Sequence, residues 1–327
     1  TSKSDKDLKS LDNYIKNMKE NQKEIYFITG ENLGNITYSP HVELLKEKGY
    51  EVIFMNDPID EYCMQVVSEY KEYKFVDVCD PTFKIEQDEK EQIENKQFQD
   101  SYGKLCDRMQ KVLDYGVEKV VVSSRLIYAP SVLVHGENGL SANMERILKA
   151  QAIRNPLAKE TVMAKRVLEI NPKHPIIEKL NELNNFLFYK EELEKEKVAV
   201  EEAEKTAAEE EEKSAEKSDE FEKATEGVEK RTEGKNPKKT NEKTTESKKF
   251  EDITWLLYDM SLLDSGFTLE QPRFLTTRMQ GLLVNVLEAN NTANFKPNAN
   301  FDASEMAEHT VNNMKKESSQ KQTASAV

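Results

Sequence analysis

Three short apolar segments separated by helix-start signals constrain the fold of the first quarter of the chain. Ile25–Gly30, Tyr50–Met55 and Lys74–Val78 are each predicted to form a buried strand. Ser39-Pro40 and Asp57-Pro58 lie between these strands, and each combines an N-cap residue with a proline at the first helical position. Strand, helix, strand, helix and strand in succession predict a parallel sheet with right-handed crossovers.

The next part of the chain alternates less regularly and predicts a mixed α+β arrangement. In order, the pattern predicts a charged helical connector at 84–116, two paired strands at 118–123 and 131–135, a helix at 141–153, a strand at 167–170 and a helix at 176–189. The fold class is therefore α/β (α+β overall), with a small parallel-sheet α/β/α subdomain followed by a mixed α+β domain that ends in a helical hairpin.

The composition changes abruptly after Tyr189. Residues 191–220 hold 14 acidic and 5 basic residues, and residues 221–249 hold 6 acidic and 9 basic ones. Apolar residues are too few to offset the entropy of ordering, so 190–249 is predicted to be a charged, disordered insert. A solvated helix is the alternative for its first half. The tail at 290–327 is also predicted to be disordered.

Composition and motifs exclude several classes of function. A net charge of −14 argues against a nucleic-acid-binding protein, and no apolar run approaches the ~20 residues of a membrane span. Cys63, Cys79 and Cys106 form no C-x-x-C pair, and we interpret them as small buried hydrophobes. The four histidines lack zinc-site spacing.

No catalytic residue, cofactor site or metal site is predicted in this chain, because phosphate-loop and nucleophile-elbow motifs are absent. The acidic group Asp57, Asp60 and Glu61 is interpreted as helix capping rather than as a metal cluster. An alternative function is a small α/β enzyme or nucleotide-binding domain with a crevice near Gly30 and Asp57. A third hypothesis is a structural scaffold whose charged insert recruits partners.

Two apolar helices near the end of the chain, 252–264 and 272–288, are joined by a short loop. A two-helix hairpin cannot bury so much apolar surface alone, so we predict a four-helix bundle with a second copy, a two-fold homodimer. Packing within one chain is the alternative. The predicted interface residues are Leu256, Met260, Leu263, Leu275, Met279, Leu282 and Val286.

Seven segments of the sequence resemble the heat shock protein 90 chaperones. They are IYFITG (25–30), GYEVIFM (49–55), DPIDEY (57–62), VVVS (120–123), SANMERILKAQA (141–152), LEINPKH (168–174) and SGF (265–267). They occur in the family's order, and the resemblance covers the chain except for the insert and the tail.

The resemblance implies a domain organisation. Residues 1–116, with the subdomain at 24–80, would be the end of the middle domain, and 117–289 would be the C-terminal dimerisation domain. We expect the chain to be a piece of a longer protein whose ATP-binding domain lies upstream. This fragment would then not be an enzyme and would bind no cofactor, whereas the full-length family hydrolyses ATP with Mg²⁺.

The resemblance also implies partners: homodimerisation, client proteins and co-chaperones, with neither nucleic acid nor a membrane span. Leu140, Met144 and Leu148 are the candidate client-binding residues, partly exposed in the cleft of the dimer. The chain lacks both the acidic M-E-E-V-D ending and the K-D-E-L-type ending. Cys63 and the segment 165–172 favour the endoplasmic reticulum or another organelle over the cytoplasm.

Overall fold

The computed structural model describes residues 1–4, 8–85, 87–136, 139–152, 165–215, 245–269 and 271–286. The chain divides into two compact units. One comprises Thr1–Asn181 together with Phe250–Val327, and the other comprises Glu182–Lys249.

The first sheet confirms the predicted parallel arrangement. Its strands are β1 (Glu24–Thr29), β2 (Ile53–Met55), β3 (Glu69–Tyr70) and β4 (Tyr73–Asp77), in the order β2-β1-β4-β3. β1 pairs in parallel with both β2 and β4. The antiparallel edge strand β3 was not predicted; it is a two-residue strand whose tight turn includes Lys71 at a φ of 57°.

Short helices flank this sheet. They are α1 (Leu11–Asn17), α2 (Leu33–Thr37), a 3₁₀ turn (Pro40–Val42), α3 (Glu43–Glu47) and α4 (Pro58–Val66). Asp57 caps α4 in a capping box with Asp60, as the sequence predicted. Within the described residues, no group of three or more His, Cys, Asp and Glu side chains could hold a metal ion.

The second sheet corrects one prediction. Its strands are β5 (Val117–Val122), β6 (Ser131–His135) and β7 (Arg166–Ile170), in the order β5-β7-β6. The segments 118–123 and 131–135 therefore do not pair with each other; β7 lies between them, parallel to β5 and antiparallel to β6. Four of the five residues of β7 are buried, but the same holds for the edge strand β6, so burial alone does not single out the central strand.

Five further helices follow the first sheet along the chain. They are α5 (Glu89–Val112), α6 (Ala142–Ala152), α7 (Pro175–Ala215), α8 (Thr245–Asp264) and α9 (Pro272–Val286). The three cysteines are free. Cys106 on α5 is buried as predicted and Cys79 is half-buried, whereas the prediction of a buried Cys63 is wrong because it lies on the exposed side of α4.

The boundary predicted at residue 116 does not separate compact units, because both sheets belong to the first unit. The buried Arg125 connects them. Its guanidinium donates to the carboxylate of Glu169 on β7 at 2.5 Å and to the carbonyl oxygen of Val78, just after β4, at 2.8 Å.

The charged insert is more ordered than predicted. Residues 190–215 continue α7, which agrees with the helical alternative for the first half of the insert and not with disorder. The prediction of disorder is wrong for residues 245–249, which begin α8. Glu, Lys and Ala are strong helix formers, and extending an existing helix avoids the cost of nucleation. Within the second unit, Lys190 Nζ lies 3.6 Å from the Glu246 carboxylate. Residues 216–244 and the tail at 290–327 lie outside the described residues.

Candidate dimerisation and client-binding surfaces

Helix α8 has one face inside the first unit and one face outside it. The inward face is buried and comprises Phe250, Thr254, Leu257, Tyr258, Ser261 and Leu262. On the outward face, Leu256 is half-buried, Met260 is 39% exposed and Leu263 is 51% exposed. The spacing 256, 260, 263 forms a continuous apolar stripe along the helix.

Helix α9 buries none of the side chains that the structure describes in it, residues 272–284. Leu275 and Leu282 are half-buried, Met279 is 48% exposed and Leu283 is 57% exposed. Val286 is the seventh predicted interface residue, and its side chain is not among those that the structure describes. Leu283 was not among the predicted interface residues, although its position four residues after Met279 could have indicated it. We call the predicted residues together with Leu283 the hairpin face.

An ion pair connects α8 to α9. The Arg278 Nη1 atom lies 2.5 Å from a carboxylate oxygen of Asp259, and the guanidinium lies 5.3 Å from the ring centroid of Trp255. Burial raises the pKa of Asp259, while Arg278 favours its ionised form. This contact ties α8 to α9, while Met260 and Leu263 on α8 and Met279 and Leu283 on α9 remain exposed.

The predicted client-binding residues do not share one environment. Leu140 and Leu148 are half-buried, as expected for side chains at the edge of a surface. Met144 is only 5% exposed, so the prediction of a partly exposed side chain is wrong. The first turn of α6 is anchored inside the fold, because the buried carboxylate of Glu61 accepts hydrogen bonds from Ser141 Oγ and, at 3.0 Å, from Asn143 Nδ2.

A second set of contacts holds α6 against β7. Glu145 lies 2.7 Å from the guanidinium of Arg166 and 2.8 Å from Lys149 Nζ. The Arg166 guanidinium also lies 4.4 Å from the ring centroid of Phe267, which follows α8. These contacts make α6 a rigid support for Leu148.

Helix α4 carries an exposed apolar surface that sequence reasoning missed. Ile59, Tyr62 and Val66 are 62%, 41% and 83% exposed, and their i, i+3, i+7 spacing was the available signal. Gln151 Nε2 donates to Tyr62 Oη at 3.2 Å, so this surface adjoins the C-terminal end of α6. We call Ile59, Tyr62 and Val66 the α4 stripe.

Of the two residues predicted to flank a crevice, Gly30 lines a cavity and Asp57 does not. Gly30, His41, Cys79 and Ser265 line a cavity of about 60 Å³, whereas Asp57 caps α4. Burial lowers the pKa of His41 to about 3 and raises the pKa of Cys79 well above its usual value. The cavity therefore presents a neutral imidazole and a protonated thiol, which makes Cys79 a poor nucleophile.

No helix among the described residues is long and apolar enough to cross a membrane.

The two sheets linked through Arg125 and the helices around them define a mixed α/β protein whose last two described helices carry exposed apolar side chains. The family model described as Hsp90 protein matches residues 1–186 and 235–320, and the chain belongs to this family. The resemblance found in the sequence is thereby confirmed.

Individual relatives agree with this assignment. The chain is 42% identical over 181 residues to heat shock protein 90-5, chloroplastic, from Arabidopsis thaliana, and 42% identical over 183 residues to an endoplasmin homologue from Hordeum vulgare. These alignments cover 55% and 56% of this chain but 23% and 22% of the relatives. It is 31% identical over 277 residues to heat shock protein 83 from Leishmania donovani, covering 85% of this chain and 49% of that protein. The chain thus spans between about a quarter and half of the length of these relatives.

Proposed function

We propose that the chain is the client-binding and homodimerisation region of an ATP-dependent molecular chaperone. Membership of the Hsp90 family supports this proposal. The observation that carries it is helix α9, in which none of the side chains at 272–284 is buried although Leu275, Met279, Leu282 and Leu283 are among them. Binding of ATP and Mg²⁺ is proposed for the full-length protein, through residues outside this chain.

The dimer proposal follows from the geometry of the hairpin face. The residues on α9 repeat at intervals of four, three and four, which suits packing between antiparallel or parallel helices. Arg278 and Asp259 are already paired with each other, so they do not prevent the apolar side chains from meeting a second copy. A two-fold bundle of α8, α9 and their copies would cover the apolar residues of the hairpin face on both helices at once.

Leu282→Asp tests the dimer. It places a carboxylate from each copy in an apolar interface, so we expect a folded monomer where the wild type is a dimer. Gln280→Asp is the matched control, because Gln280 is exposed, lies two residues away on the opposite side of α9 and receives the same charge. Sedimentation velocity measures the mass and circular dichroism checks the fold. A Leu282→Asp protein with the dissociation constant of the wild type would contradict the proposal.

For client binding we propose the surface formed by Leu140, Leu148 and the α4 stripe. Exposed apolar side chains on a rigid support are suited to transient contact with unfolded polypeptides. Tyr62→Ser combined with Leu148→Ser should weaken the suppression of aggregation of a heat-unfolded model enzyme while changing the thermal midpoint little. Ile93→Ser is the control, since Ile93 is 61% exposed on α5, outside this surface. Equal loss in both variants would contradict a localised site.

We propose an organelle, such as the endoplasmic reticulum, as the compartment of the full-length protein, with co-chaperones as additional partners. Endoplasmin homologues and chloroplastic and mitochondrial heat shock proteins are among its relatives, which supports this placement. Imaging of the full-length protein tagged at an internal site tests it, and a uniform cytoplasmic signal would contradict it.

A further inference from the structure

The exposed methionines among the described residues lie on one surface. Among the methionines whose side chains the structure describes, only Met260 and Met279 are exposed, at 39% and 48%. The others are half-buried (Met18, Met55 and Met64) or buried (Met109 and Met144). Both exposed thioethers thus belong to the hairpin face, one on α8 and one on α9.

We propose that Met260 and Met279 are sites of reversible oxidation by hydroperoxides, and that their oxidation holds the chain as a monomer. This inference rests on the proposed homodimer, because it uses the same face. The interface would protect both thioethers in the dimer and leave them accessible in a dissociated copy.

The chemistry requires one oxidant, hydrogen peroxide or an organic hydroperoxide. The sulfur lone pair attacks the outer peroxide oxygen, so that an S–O bond forms while the O–O bond breaks. The sulfur is oxidised by two electrons, and the peroxide is reduced to water or an alcohol, which keeps the protons. Thiol-dependent methionine sulfoxide reductases return the sulfoxide to the thioether.

Oxidation converts a flexible apolar side chain into a polar one. The hairpin face is apolar around both positions, with Leu256, Leu263 and Leu283 as neighbours at helical spacing. A sulfoxide oxygen buried there would lose its hydrogen bonds to water. We expect each such group to weaken dimerisation by about tenfold, and both copies carry it.

The test compares the full 327-residue chain before and after treatment with hydrogen peroxide at protein concentrations above and below the dimer dissociation constant. Peptide mass spectrometry should show Met260 and Met279 oxidised first among the described methionines in the dilute sample and protected in the concentrated one. Met109 and Met144 act as internal reporters, because their oxidation would reveal unfolding. Sedimentation velocity should then show the oxidised chain as a monomer that recovers the dimer after reductase treatment.

The double variant Met260→Leu, Met279→Leu keeps the apolar volume and removes the oxidisable sulfur. It should dimerise like the wild type and stay dimeric in peroxide, whereas the control Met18→Leu, Met64→Leu should remain sensitive. Oxidised wild type that dimerises as well as the untreated protein would overturn the inference and leave the dimer intact. Untreated protein that is monomeric at every concentration would overturn the proposed dimer and this inference with it.

Discussion

Arg125 lies between the two sheets of the first unit, with its guanidinium bonded on three sides. It contacts the Glu169 carboxylate through two nitrogen atoms, at 3.0 and 2.5 Å, and donates to the carbonyl oxygens of Val78 and Asp80. Ser123 Oγ also donates to Glu169 at 2.7 Å. Removing the guanidinium would therefore leave a buried carboxylate without its counter-charge.

We expect Arg125→Met to lower the free energy of unfolding by about 3–5 kcal/mol, because the cost of the unpaired charge exceeds the benefit of an apolar side chain. Urea unfolding measures it. Lys173→Met is the control: Lys173 pairs with Glu94 at 2.9 Å, but the two side chains are 59% and 47% exposed, so the loss should be below ~1 kcal/mol. Similar losses in both variants would show that the Arg125 pair is not specially important.

His41 gives the protein a pH-dependent stability. It is 3% exposed, its Nδ1 atom has no partner among the described residues, and burial lowers its pKa to about 3. The unfolded chain binds a proton at this residue below about pH 6.5, whereas the folded chain does not. The contribution of His41 to stability is therefore complete above about pH 6.5 and is lost as the pH falls towards 3.

Replacing His41 with Phe should remove this dependence. The difference in unfolding free energy between wild type and variant should change in favour of the variant as the pH falls from 7.5 to 4.5. Urea unfolding at several pH values measures it, and the difference between two proteins cancels the titration of the other groups. If the difference in unfolding free energy stays constant over this range, His41 takes up its proton at the same pH in the folded chain as in the unfolded chain.

At the scale of single elements, α5 contains a glycine in its interior that the fold does not require. A Cβ atom at Gly103 would meet no atom within 4 Å. Gly103→Ala should raise the free energy of unfolding by about 0.5–1 kcal/mol, since alanine restricts the unfolded chain and favours the helix. The contrasting variant is Gly116→Ala, whose Cβ would lie 2.6 Å from Tyr258 Oη and should lower the thermal midpoint. A lower free energy of unfolding for Gly103→Ala would contradict the open space that the structure shows around a Cβ atom at this position.

At the scale of the whole molecule, the proposed dimer brings together two chains that each carry a net charge of −14. The hairpin face itself is uncharged, so salt acts mainly by screening the repulsion between the two chains. We therefore expect the dimer dissociation constant to fall as NaCl rises from about 20 to 300 mM, over which the Debye length shortens several-fold. Sedimentation equilibrium measures this trend. A dissociation constant that rises with salt would mean that ion pairs between the copies dominate the interface.

Local signals in the sequence determined the three parallel strands of the first sheet, the cap at Asp57 and the apolar character of the α8 and α9 helices. Each depends on residues close together in the chain, such as proline after a capping residue or leucines at helical spacing. The same helical spacing predicted the hairpin face, in which the structure leaves Met260, Leu263, Met279 and Leu283 exposed. Their place in an interface stays a prediction.

Only the tertiary structure decided how distant segments meet. The central place of β7 is set by its pairing with both β5 and β6. Helix α6, which carries the buried Met144, is anchored at its first turn by Glu61, far away in the sequence. The α4 stripe joined a candidate surface only because the fold places the end of α6 next to it, where Gln151 donates a hydrogen bond to Tyr62. The spacing of apolar residues shows which of them share one face of a helix. Contacts between elements decide how far each of these side chains is covered, and therefore which apolar residues remain available to a partner.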